Sequence, residues 1–117
     1  MQRKAPKLLE DIRQAAQRIS EWSASRTLEQ YRDDPMLRSA VERNLEVIGE
    51  AINRLARIDA DTAGRLGPYE QIIAFHSILI HGYEIVDHDR VWHVIRNDVS
   101  DLLAKTDQLL YEAEDRS

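Results

Sequence analysis

Between Pro35 and Arg57 the apolar side chains Leu37, Val41, Leu45, Ile48, Ile52 and Leu55 recur every three or four residues, with charged residues between them. A strand alternates faces at every residue, so this spacing predicts a helix with one buried stripe. Asp34 and Pro35 fix its start, the first as a side-chain cap and the second at a first-turn position where a missing N–H costs nothing. The same spacing over Leu8, Leu9, Ile12, Ala15, Ala16, Ile19 and Trp22 predicts an earlier helix with Pro6 in its first turn. Thr27 to Tyr31 reads as a short helix capped by Thr27, with the carboxamide of Gln30 three residues on. Gly49 stands inside the long helix, where it costs about 1 kcal/mol relative to alanine, so a close helix crossing is its natural explanation. Glu50 beside it reads as solvated.

Asp59, Asp61, Gly64, Gly67 and Pro68 mark Ile58 to Pro68 as the one long connection. A fresh helix follows from Tyr69 and ends near Gly82, a residue suited to a left-handed cap. Glu84 to Asp89 is then a turn, with Asp87 or Asp89 capping a last helix. That helix carries Val91, Trp92, Ile95, Val99, Leu102, Leu103, Leu109 and Leu110 and frays in residues 112–115. Trp22 and Trp92 are taken as core anchors. Four amphipathic helices joined by short links, with one short extra helix, predict an all-α antiparallel four-helix bundle in a single domain spanning residues 1–117. The helix from Tyr69 is apolar on more than one side, as a face shared with a second copy or a central bundle helix would be.

The formal net charge of −5 argues against a general nucleic-acid coat. The charge is uneven, however. Residues 1–58 hold 11 Lys and Arg against 9 Asp and Glu, while residues 59–117 hold 5 against 12, so a polyanion would approach the arginines of the first half. Arg43, Arg54 and Arg57 are candidates to line the path of such a polyanion, although arginines on an exposed helix face usually just keep it wet. The chain has no cysteine, which removes disulfides, thiolate nucleophiles and Cys-ligated zinc together. With no run of about 18 apolar residues, it is expected to be soluble, unexported and cytoplasmic.

Chemistry concentrates in Ala74-Phe75-His76-Ser77-Ile78-Leu79-Ile80-His81-Gly82-Tyr83, where two imidazoles and a phenol interrupt an apolar helix. A metal site built from His76, His81, His88 and His93 with Glu84, Asp87 and Asp89 is the rival reading, but the spacing is wrong for the inward Glu-x-x-His pairs of helical metal bundles. His88 reads as a turn residue and His93 as a solvated helix position. Along one straight helix His76 and Tyr83 lie within about 20° of each other and His76 and His81 about 140° apart, so aiming both histidines at one point needs a bend or a second subunit.

Ser39-Ala40-Val41-Glu42-Arg43-Asn44-Leu45-Glu46-Val47-Ile48-Gly49-Glu50-Ala51, then Ile78-Leu79-Ile80-His81-Gly82-Tyr83, then Val91-Trp92, resembles the HepT-like branch of the HEPN domains over nearly the whole chain. The resemblance implies a homodimeric ribonuclease toxin of a prokaryotic toxin–antitoxin pair, whose antitoxin partner is an MntA-like minimal nucleotidyltransferase. It implies an endoribonuclease cleft between two protomers that needs no metal or cofactor. Carried over by position, His81 takes the catalytic histidine and Tyr83 the tyrosine that the antitoxin modifies with AMP. The motif arginine falls on His76, where this sequence departs from the pattern, and Ser77 replaces a commonly polar amide neighbour. Two consequences compete: His76 and His81 form an acid–base pair, or loss of the guanidinium leaves a weak nuclease. The alternative from another class is a helical binding module that partners a nucleotidyltransferase or holds nucleotide without cutting RNA.

Overall fold

A computed structural model describes residues 1–67, 69–81 and 86–115 of the chain. Its elements in order are α1 (Ala5–Ser23), α2 (Leu28–Asp33), α3 (Pro35–Ile58), α4 (Ala60–Arg65), α5 (Glu70–His81), α6 (His88–Val94), a π-helical turn (Ile95–Val99) and α7 (Ser100–Asp115). No strand occurs among the described residues, so the all-α expectation holds. No helix among them is long and apolar enough to cross a membrane. Gln2 bonds to Asp59 and Arg18 to Asn44, so α1 and α3 run antiparallel, one advancing as the other recedes.

The expected stripes make the core. Leu9, Ile12, Ala15, Ala16 and Ile19 of α1 are fully buried against Val41, Leu45, Ile48 and Leu55 of α3, with Val91, Val99 and Leu102 from the last helices. Trp22 does not join them: it is 38% exposed, a correction to its expected role as a core anchor. The stripe runs Ile12, Ala16, Ile19, Ser23, and Ser23 takes the inward position by returning its hydroxyl to the Ile19 carbonyl at 2.7 Å. Trp22 is therefore turned about 100° away. Trp92 is partly buried, its ring 5.3 Å from that of the fully buried Tyr31.

Local signals placed the helix starts well. Thr27 and Gln30 exchange both bonds of a capping box, at 3.1 and 2.9 Å. Asp34 caps α3 and Pro35 opens it. Three expectations need correction. Residues 58–68 are not all connection, because Asp59 accepts from the Thr62 N–H and starts the short helix α4. The expected turn does not reach Asp89: Asp87, one of the two expected caps, accepts from the N–H groups of Asp89 and Arg90, so His88 is the first residue of α6 rather than part of a turn. The last helix continues to Asp115 instead of fraying at Glu112. The expected cap at Gly82 lies outside the described residues.

The cap at Asp34 gives a measurable acid limb. The Leu37 N–H at 3.0 Å and Arg26 at 3.1 Å both favour the ionised carboxyl and hold it below the ordinary carboxylate range. A carboxyl depressed by folding stabilises above its unfolded pKa of about 4, and that stability is lost as pH falls through the folded value. Asp34→Asn keeps a capping oxygen and removes the titration. It is expected to flatten the fall of Tm below about pH 4; an acid limb as steep as that of the unchanged protein contradicts this assignment.

Candidate functional site

The close crossing expected at Gly49 is present. A Cβ built on Gly49 would collide with the Cβ of His76 and stand 2.6 Å from its Cγ, so only glycine lets α5 approach α3 this closely. The approach leaves His76 7% exposed, in the wall between the two helices. Its Nε2 lies 3.7 Å from the Glu50 carboxylate, close enough for charge attraction and too far for a direct hydrogen bond. Glu50 also accepts from Arg54 Nε at 2.8 Å, and that bond, with the nearby charges of His76 and Arg57, keeps its carboxyl below the ordinary range.

Glu50 is the site residue that sequence reasoning missed. Its signal was its neighbour: a glycine that permits a helix crossing places the next side chain beside the incoming helix.

His76 and Glu50 form one wall of an open cleft of about 300 Å³ between α1, α3 and α5. Arg43, Val47, Glu50 and Arg54 repeat along the same face of α3, while Leu8 and Asp11 close the cleft from α1. Two of the three candidate arginines therefore share a cleft with His76. Arg43 donates to Glu46 at 3.0 Å and Arg54 to Glu50, and exposed pairs of this kind contribute only about 0–1 kcal/mol, so an incoming phosphate can displace them. Arg57 stands one turn beyond, in an adjoining groove with Arg3, Lys4 and Lys7.

His81 ends α5, five residues and about 7.5 Å of helix rise beyond His76. Its side chain and the whole of Gly82 and Tyr83 lie outside the described residues, so both the catalytic and the AMP-modification assignments fall there. Among the described residues no group of three or more histidines and carboxylates is placed to hold a metal. His88 packs edge-on against Tyr31, Asp87 is spent on its cap and Asp89 on a bidentate contact with Arg32. His93 is exposed as expected.

The sequence comparisons agree with this architecture. The family described as "Ribonuclease HepT-like" matches residues 12–109. A Methanocaldococcus jannaschii protein named "Putative RNase MJ1380" is 31% identical over 78% of this chain and 83% of its own length. "Probable ribonuclease HepT" of Thermococcus cleftensis is 30% identical over 93% of this chain and 98% of its own, and "Putative RNase TTE0752" of Caldanaerobacter subterraneus is 29% identical over 87% and 90%. No solved structure matches the chain.

Proposed function

The chain belongs to the ribonuclease HepT-like family, and from that premise we propose that it is the toxin of a prokaryotic toxin–antitoxin pair, cutting RNA without a metal at a cleft completed by a second copy. The observation that carries the reading is the meeting of His76 with Arg43, Glu50 and Arg54 in one cleft, on the helix that goes on to His81.

RNA carries its own nucleophile, so the protein need only manage protons and charge. A base removes the 2′-hydroxyl proton, the 2′-oxygen attacks phosphorus, and the bond to the 5′-oxygen breaks as that oxygen takes up a proton. The products end in a 2′,3′-cyclic phosphate and a 5′-hydroxyl. An imidazole with an ordinary pKa of about 6.5 can give or accept a proton near neutrality, which is the role proposed for His81. The guanidinium groups of Arg43 and Arg54 are set to face the phosphate oxygens on which charge accumulates. In this reading an MntA-like nucleotidyltransferase silences the toxin by placing AMP on Tyr83, which adds charge and bulk two residues along the chain from His81.

A second reading is favoured by one specific feature. His76 stands where the resembled motif has arginine, and its ring ends in the cleft wall beside Glu50. With that guanidinium missing, the chain would be a helical binding module that recruits the nucleotidyltransferase.

Incubation of the purified chain with RNA in EDTA separates the two. Fragments with cyclic-phosphate ends, together with a dimer by sedimentation, are expected from the toxin. Intact RNA at every pH supports the binding module. Antitoxin plus ATP is expected to add the mass of AMP at Tyr83, and modification elsewhere removes the regulatory assignment.

A further inference from the structure

The groove beside the cleft is strongly basic in a chain that is acidic as a whole. Arg3, Lys4 and Lys7 line it from α1 and the segment before it, Arg54 and Arg57 line it from α3, and Glu50 is its one carboxylate among the described residues. Its volume is about 660 Å³, and it shares Leu8, Glu50 and Arg54 with the cleft that holds His76, so the two adjoin at those side chains. Lys7 bonds to Asp11 and Arg54 to Glu50, whereas Arg3, Lys4 and Arg57 make no ion pair among the described residues and are exposed.

The first residues are held in place for this. The Gln2 N–H donates to Asp59 Oδ2 at 2.7 Å, and the same carboxylate accepts from the Thr62 hydroxyl at 2.7 Å while its other oxygen caps α4. These bonds keep the Asp59 carboxyl below its ordinary range. The tie brings Arg3 and Lys4 to the end of α3, opposite Arg57. Arg54 and Arg57 are three residues apart in α3 and so lie along one helix face with about 4.5 Å of rise, while Lys4 stands just before α1 and Lys7 in its first turn.

We propose that this groove is the track for the single-stranded RNA flanking the scissile bond, with Arg3, Lys4 and Arg57 contacting successive phosphates as the strand leads toward His76. The proposal rests on the ribonuclease reading for the identity of the strand. Charge complementarity favours it: unpaired cations opposed across a groove match a phosphate chain, and the adjoining histidine cleft gives that chain a destination.

The test uses a fluorescein-labelled 2′-O-methyl oligouridylate, which keeps every phosphate and cannot be cut because the attacking hydroxyl is blocked. Binding is followed by anisotropy over a range of salt concentrations, beside a parallel cleavage assay on unmodified RNA. Arg3→Ala/Lys4→Ala/Arg57→Ala is expected to weaken binding about tenfold and to lower the slope of log affinity against log salt by about 2, near 0.7 for each lost contact. The control Arg32→Ala/Arg38→Ala/Arg90→Ala removes the same charge; Arg38 stands about 28 Å from Arg57 along α3, and the control is expected to leave affinity and slope unchanged.

Wild-type affinity and slope in the groove variant overturn the track, as does a wild-type chain that fails to bind. If the groove variant weakens as expected while unmodified RNA stays intact, the track stands and the ribonuclease reading falls. If RNA is cut while the groove variant binds normally, the reading stands and the track falls.

Discussion

His81→Ala is expected to lower metal-free RNA cleavage by about 10²- to 10⁴-fold, the usual worth of one positioned acid–base group, whereas His76→Arg is expected to raise it by about 100-fold. The two substitutions act on different parts of the chemistry. At position 81 the function expected to be lost is the proposed proton transfer. At position 76 the short imidazole stops in the wall, 3.7 Å from Glu50 and 7% exposed, so it offers the phosphate little contact. An arginine grown from the same Cβ keeps the close packing on Gly49 and extends past the wall into the open cleft. There its guanidinium can pair with Glu50 and aim its remaining donors at the phosphate, with a charge that does not titrate near neutrality. The competing consequence has the opposite sign. If His76 is the acid–base partner of His81, His76→Arg abolishes one limb of a bell-shaped pH profile and lowers the rate. The measurement is the initial rate of cyclic-phosphate formation across pH in EDTA, with circular dichroism confirming that both variants fold. A fall in rate for His76→Arg removes the assignment of position 76 to charge stabilisation, and an unchanged rate for His81→Ala removes His81 from catalysis.

The helices were legible in the sequence because their signals are local. Leu37 to Leu55 specify a face by spacing alone, and Asp34-Pro35 and Thr27-x-x-Gln30 specify starts because a cap bonds within three residues of itself. What escaped was decided by competition between neighbours. Ser23 displaced Trp22 from the core because the period of the helix, not the size of the side chain, sets which position faces inward. Residues 60–65 read as connection because Gly64 lowers helix propensity, yet the Asp59 cap and the packing of Thr62 and Leu66 suffice for one and a half turns. The cleft was half legible. Gly49 announced a crossing, but which residue would cross there, and that Glu50 would meet His76, depend on contacts far apart in sequence. The basic groove was still less visible, since Arg3 and Lys4 meet Arg57 through contacts far apart in sequence, the packing of α1 on α3 and the bond from Gln2 to Asp59.

Gly49→Ala is expected to destabilise the fold by about 2 kcal/mol, against the helix propensities that alone would make it stabilising by about 1. In an exposed helix alanine gains because it restricts the unfolded chain without burying anything. Here the added methyl would overlap the His76 Cβ and lie 2.6 Å from Cγ and 3.0 Å from Cδ2. A Cβ is fixed by the backbone, so no rotation of the His76 side chain relieves the overlap. The helices themselves must part, and over-packing of this kind typically costs about 1–3 kcal/mol. Gly64 supplies the internal standard. It lies within α4, its φ is not positive, and nothing stands within 4 Å of a Cβ built on it. Gly64→Ala is accordingly expected to stabilise by about 0.5–1 kcal/mol in the same urea titrations. In a His76→Gly background the collision disappears, and Gly49→Ala is there expected to change sign and stabilise. That reversal distinguishes a steric contact from any intrinsic need for glycine at position 49, because only the former depends on which residue stands at 76. If Gly49→Ala stabilises the otherwise unchanged chain as Gly64→Ala does, α5 does not approach α3 as described. The cleft then loses its back wall, since the approach that buries His76 is also what brings it to Glu50.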